Sequence, residues 1–254
     1  MEHAFVIPSY STAENKCVVD CVKSIRKFHA FDSKIIIVDS DSPDKSYFND
    51  LQPYNVHLRA VQNKHRETGA IWHAYDNFPE VEFFFFLQDS LICNQNVLQL
   101  TEHTFSCLRY FPSWDGKGFR LNSQDNEKKC GWADDDNSNN DGLNFVYKDS
   151  NGMDDRNWLE KKFNLYTNYV IPDEWDSIFG SIFFCHRSLL DKLALKGFNK
   201  ILPTNKMEAC TMERAWGIAM KEEGINVRQK SIQKYYLDPL YNPSLLFEKN
   251  FYLR

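Results

Sequence analysis

"VEFFFFLQDSLICN" (residues 81–94) strings four phenylalanines together and stops them at Gln88-Asp89-Ser90. Successive side chains of a strand point to opposite faces, so such a run survives in water only if both faces are covered. The stretch therefore reads as an inner strand of a sheet with helices on both sides, ending abruptly where the chain meets solvent.

Working outward, three upstream runs repeat the pattern. "AFVIPS" is apolar and stops at a proline, "KIIIVDSDSPD" is β-branched and stops at acids, and "VHLRAVQN" reads as a third strand. Between them, "AENKCVVDCVKSIRKFHAF" sets Cys17, Val18, Cys21, Val22, Ile25 and Phe28 at three- and four-residue spacing, and "ETGAIWHAYDNF" also reads as a helix. Strands alternating with helices predict an α/β fold with a mixed, mostly parallel sheet. Downstream, "SIFGSIFFCHRSLLDKLALKGF" reads as a strand passing into a helix near Arg187. "EACTMERAWGIAMKEEG" reads as a helix stopped by Gly224, and "INVRQKSI" as a short strand.

Composition narrows the function. A formal net charge of -5 argues against a nucleic-acid binder, which needs a basic face for phosphates. The N-terminus lacks a basic region followed by a long apolar one, so no signal peptide is expected, and no apolar run approaches the roughly 20 residues of a membrane helix. Seven cysteines without paired metal spacing read as buried thiols of a cytoplasmic protein.

In open α/β sheets ligands bind beyond the carboxyl ends of the strands. Four polar strand ends meet there: Pro8-Ser9-Tyr10, Asp39-Ser40-Asp41, Asn63, and Gln88-Asp89-Ser90. Each one alone is also what a polar turn closing a strand looks like. Residues 122–155 form a polar insertion, within which Asn137-x-Asn139-x-Asp141-Gly142 imitates a calcium loop; Lys148 in the twelfth position breaks the pattern.

The ordered set "FVIPSY … IIIVDSDSPD … FFFLQDSLICN … FGSIFFCHRSLL … MERAWGIAMKEEGINV" resembles the GT-A-fold glycosyltransferases, above all the inverting family 2, over residues 4–92 and 175–230. The resemblance implies one domain over 1–254, with a nucleotide-binding half (1–95) and an acceptor-binding half (96–254). It implies a sugar-nucleotide donor (a UDP-, GDP- or dTDP-sugar), a glycan or other hydroxyl acceptor, and transfer with inversion. On that resemblance Pro8, Ser9 and Tyr10 lie against the nucleotide, with Tyr10 packing on the base. Asp39 takes the place of the acid that meets base or ribose. Ser40 replaces the next acid, Asp41 stands where glycine is usual, and Arg66 and Gly69 approach the nucleotide.

Gln88-Asp89-Ser90 occupies the place of the Asp-x-Asp motif that holds Mn²⁺ or Mg²⁺ against the diphosphate. Asp89 matches its middle acid and is the one metal ligand expected, while Ser90 stands where the main acid belongs. Asp134, Asp135 and Asp136 are candidate replacements, and Arg66 or Lys234 a cationic alternative. Glu213 matches the general base, with Glu208 as fallback, and Trp175, Asp176 and Gly180 match the segment that meets donor sugar and acceptor. Losing an acid at Ser90 leaves a second reading open, a catalytically degenerate module that binds sugar nucleotides or glycans. A nucleotidyltransferase fits less well, since "PSYSTAENK" lacks a glycine-rich basic loop.

Overall fold

The computed structural model describes residues 1–12, 16–30, 33–114, 155–172, 174–232 and 246–249. Asp134, Asp135, Asp136, the calcium-like run and Lys234 lie outside these. In chain order the elements are β1 (His3–Ser9), α1 (Cys17–Phe28), β2 (Lys34–Asp39), α2 (Tyr47–Leu51), β3 (His57–Ala60), α3 (Arg66–Asn77), β4 (Phe83–Phe86) and β5 (Leu91–Cys93). They continue with β6 (Phe105–Cys107), β7 (Tyr110–Trp114), α4 (Asp155–Tyr166), β8 (Glu174–Ile178), β9 (Phe183–His186), α5 (Arg187–Leu195), α6 (Lys206–Glu222) and β10 (Phe247–Lys249).

Six strands form one sheet in the order β3-β2-β1-β4-β9-β6. β1 pairs in parallel with both β2 and β4, β2 in parallel with β3, and β9 runs antiparallel to β4 and β6. The four phenylalanines do divide between two dry faces. Phe83 and Phe85 join Phe5, Ile7, Ile35 and Ile37 in a core beneath α1. Phe84 and Phe86 join Val6, Ile36 and Val38 in a second core shared with Trp72 of α3 and Trp216 of α6.

A proline inside a central strand needs a reason, because it cannot donate to the ladder. Val6 O accepts from Leu87 N, and Ser9 O from Ser40 N, so even-numbered residues of β1 face β4 and odd ones face β2. Pro8 faces β4 just past that strand's last pair, Val6 with Phe86. Its missing N–H falls where no partner strand remains.

The predicted strand in "SIFGSIFF" is two strands in different sheets. Gly180 and Ser181 both adopt left-handed backbone, with φ of 63° and 52°. They turn the chain from β8, which pairs with β7, into β9 beside β4. "INVRQKSI" is not a strand but a turn: Asn226 Oδ1 accepts from Gln229 N at 3.1 Å and its carbonyl from Lys230 N at 3.2 Å. This local bonding by an asparagine outcompetes extended pairing, leaving one bridge between Ser231 and Cys107. Arg187 opens α5 and caps α3, donating to Tyr75 O at 2.6 Å and Phe78 O at 3.1 Å, where a helix C-terminus favours a cation. No described helix is long and apolar enough to cross a membrane.

The core beneath α1 carries an acid-sensitive group. His29, only 3% exposed, packs on Phe5 at 4.8 Å between ring centroids. Burial first, then the charges of His3 and Arg26, lower its pKa to about 4. The unfolded chain takes up this proton near pH 6.5 and the folded chain only near pH 4. Stability is therefore expected to fall as pH drops through that window, by about 3 kcal/mol in full. Urea titrations at pH 7 and pH 4.5 should show this slope, and His29→Gln should remove most of it.

Candidate functional site

The carboxyl edge of the sheet brings the predicted strand ends together around the switch point between β1 and β4. At the end of β1, Ser9 is buried and its Oγ lies 3.4 Å from Ser11 Oγ, while Tyr10 stands 58% exposed. Ser11 N donates to Ser42 Oγ at 2.9 Å, tying the β1 loop to the β2 loop.

Asp39, at the end of β2, is fully buried. It accepts from Tyr47 Oη at 2.7 Å and from Ser42 N at 3.3 and 3.4 Å. Burial, followed by this carboxylate, pushes the Tyr47 phenol well above its ordinary pKa. Asp39 thus fixes the turn at residues 40–42. In that turn Asp41 has φ of 64°, the left-handed region that favours glycine. Aspartate tolerates the left-handed region better than most residues. Its carboxylate is exposed, 3.8 Å from Lys45 Nζ.

Asn63 carries the contact to α3. Its N–H donates to Asp39 O at 3.3 Å, and its Nδ2 to Ser40 Oγ at 3.2 Å and Arg66 O at 2.7 Å. Its Oδ1 accepts from His65 N at 3.0 Å. Arg66 is exposed, with φ of 51°. Gly69 packs so close that a Cβ there would stand 2.0 Å from Asn63 Oδ1 and 2.8 Å from His65 Cβ. Gly69→Ala is therefore expected to cost about 1–3 kcal/mol and to displace the loop. Thermal melts read the first effect and nucleotide titration the second.

Beyond β4, Gln88 is buried and its Nε2 donates to Gly180 O at 3.3 Å and to Glu67 Oε1 at 3.4 Å. This amide joins three separate segments: the β4 end, the first turn of α3 and the Gly180 turn. A Cβ on Gly180 would sit 2.8 Å from the same Nε2. Glu67 was not singled out in the sequence; an acid in a helix's first turn is too common to signal anything, and only the fold sets it beside Gln88.

Glu213 lies on α6, half-buried. The thiol of Cys210, one turn before it, is pushed up to about 11 by burial first, then by Glu213, with Glu67 adding to the effect. Glu213 on α6 and Glu67 on α3 both raise this thiol, while Arg214 and Lys206 lower it. Glu208 is committed elsewhere: its Oε2 accepts from Thr204 N at 2.6 Å and Oγ1 at 2.8 Å, while Asn205 Oδ1 accepts from Glu208 N. Asn205 thus caps α6, and Glu208 folds back onto the residue before the cap.

Trp175 and Asp176 face a different place. They line a cavity of about 320 Å³ near the C-terminal end of α6 with Lys221 and Arg228. Arg228 Nη2 donates to Asp176 Oδ1 at 2.9 Å. Of that predicted segment, Gly180 alone is seen to touch the strand-end cluster.

Mn²⁺ and Mg²⁺ prefer about six oxygen ligands. Among the described residues no group of three His, Cys, Asp or Glu side chains comes together to hold a metal. Asp89 is half-buried beside Ser90, whose buried Oγ has no hydrogen-bond partner. One carboxylate and one hydroxyl do not make a cation site by themselves.

No family model matches the chain, and no curated protein matches it. Among solved structures it is similar to S. aureus TarS 1-349, at 14% identity and a TM-score of 0.42, over 84% of this chain and 55% of that one. The same protein in complex with UDP gives 14% identity and 0.38 over 84% and 54%. Core-mannan synthase A (CmsA/Ktr4) from Aspergillus fumigatus, in its Mn/GDP form, gives 11% and 0.43 over 91% and 71%. This chain thus spans about half of the TarS 1-349 length. Likeness of this degree assigns neither substrate nor mechanism.

Proposed function

We propose that the chain is a sugar-nucleotide-dependent glycosyltransferase that inverts the transferred anomeric centre, with Glu213 as general base. One observation carries this reading: the Gln88 amide gathers the β4 end, Glu67 and the Gly180 turn at the switch point of the sheet. Glu213 stands on α6, which packs against α3, and both Glu213 and Glu67 raise the Cys210 thiol.

In this reading Tyr10 offers an exposed ring face to the base. Asp39 shapes the floor beneath it by holding the turn at 40–42, and Arg66 offers a cation to the diphosphate. The acceptor oxygen attacks the anomeric carbon as the bond from that carbon to the phosphate oxygen breaks. The nucleoside diphosphate departs with the bonding pair, and Glu213 takes the hydroxyl proton.

A panel of UDP-, GDP- and dTDP-sugars tests this, with released nucleoside diphosphate as the readout, with and without Mn²⁺. Turnover of at least one donor is expected. Ser90, a neutral hydroxyl in the place of an acid, favours the second reading of a binding module without catalysis. Nucleotide binding by calorimetry with no turnover would establish that alternative, and absence of both would end the two readings together.

A further inference from the structure

Among the described residues six large apolar side chains stand exposed, and three of them, Leu165 at 63%, Val170 at 69% and Leu195 at 90%, belong to one corner of the molecule. There α4 and α5 end side by side. A Cβ on Gly197 would stand 2.0 Å from Tyr166 O, and the Phe198 ring centroid lies 6.1 Å from that of Tyr169 and 6.4 Å from that of Phe163. Leu165 is one residue from that touch and Leu195 two, which keeps their Cα atoms within about 15 Å of each other. One exposed leucine means little, but three apolar side chains gathered at one place mark a contact surface.

Lysines surround them. Lys161 precedes Leu165 by four residues on α4, and Lys192 precedes Leu195 by three on α5, spacings that set each pair on one helix face. Lys200 follows in the turn after α5. All three lysines are exposed and have no ion-pair partner among the described residues. Two nearby acids are already engaged. Asp191 Oδ1 accepts from Tyr75 Oη at 2.8 Å, and Glu223 Oε1 accepts from Tyr169 Oη at 3.1 Å and Lys196 Nζ at 2.5 Å. Residues 160–171, 191–200 and 221–223 together hold six lysines against four acids, in a chain whose formal net charge is -5.

This chemistry selects an occupant. A second copy meeting the face about a two-fold axis would set the same lysines against each other. Three protruding side chains also fall far short of the roughly 800 Å² that a stable protein interface takes from each partner. An anionic bilayer surface imposes neither demand. Leucine and valine enter the boundary between headgroups and acyl chains, while lysines beside them meet the lipids' negative charge.

We propose that the adjoining ends of α4 and α5 are a docking surface for an anionic lipid bilayer, with Leu165, Val170 and Leu195 entering it and Lys161, Lys192 and Lys200 holding its headgroups. The six residues come from two separate stretches of chain, and only the fold gathers them. The inference stands independently of the transfer reading.

The test is flotation of the full chain with vesicles of phosphatidylcholine, alone or mixed with phosphatidylserine. The protein is expected to float with the mixed vesicles only. Raising salt from ~0.1 M to ~1 M, where the Debye length shrinks to about 3 Å, should release it. Lys161→Gln, Lys192→Gln and Lys200→Gln combined should weaken binding roughly hundredfold, about fivefold per lysine. Leu165→Gln with Leu195→Gln should weaken it roughly tenfold. All five positions are exposed, so thermal melts should match those of the parent protein. Lys23→Gln with Lys27→Gln, on α1 against the opposite core, should float as the parent does. No flotation with either vesicle overturns the proposal, as does equal flotation with both. Flotation unchanged in the lysine and leucine variants overturns it too, and an equal loss in the α1 control would show a response to net charge rather than to this face. A dimer in sedimentation that the leucine variant dissociates, without flotation, would assign the face to a second copy and likewise overturn it.

Discussion

Replacing Glu213 with glutamine is expected to slow sugar transfer by about two to four orders of magnitude, the range of a lost general base. Nucleotide affinity should stay unchanged. Glutamine keeps the shape and the position on α6 but cannot take a proton from an attacking hydroxyl. A second readout checks the geometry without catalysis. Glu213 is the second-largest cause, after burial, of the raised Cys210 pKa. In the variant that thiol should titrate lower, visible as faster alkylation at a given pH. Full transfer activity in Glu213→Gln would remove the residue from the chemistry. Unaltered Cys210 titration would show that the two side chains do not face each other.

Phe85→Ala is expected to cost about 3–5 kcal/mol, much of the roughly 5–15 kcal/mol that a domain commonly has. Phe85 is fully buried, stacked on Phe5 at 4.7 Å and set against Phe83 at 5.0 Å and Phe184 at 5.6 Å. Truncation leaves a void bounded by three strands of one sheet, whose backbones cannot close in without breaking their pairing. Urea unfolding should show the loss as a lowered midpoint with a similar slope. A cost under about 1 kcal/mol would contradict a close-packed inner strand. Phe84→Ala, on the opposite face, should lose a comparable amount through the other core.

Much of this was legible before any coordinates. Periodicity located β1, β2, β4, α1, α3, α5 and α6, because each is long enough or apolar enough to impose one pattern. The unbroken phenylalanine run stated both that β4 is an inner strand and that both its faces are dry. The direction of β9 was not legible. Its residues suit either orientation, and the reversal depends on two left-handed residues, Gly180 and Ser181. A serine in that conformation gives no local sign. The strand "INVRQKSI" failed because its alternation competed with an asparagine that closes its own turn. In the site, the strand ends were readable from topology alone. Glu67 was not, since its position depends on a side-chain bond across sheet and helix. Trp175 and Asp176 sit beside Gly180 in sequence, yet the turn sends them toward the far end of α6.

The place of β4 between its neighbours also sets a timetable for synthesis. One edge is covered by β1, already made, while the other waits for β9, where Phe83 pairs with His186. At roughly 5–20 residues per second a ribosome needs several seconds to deliver that partner. Through that interval an uncharged, strongly β-forming tetraphenylalanine edge stands open on the nascent chain, the kind of segment that nucleates aggregates. Soluble yield should therefore respond to chaperone supply and to slower growth temperature more than the stability of the finished fold would suggest.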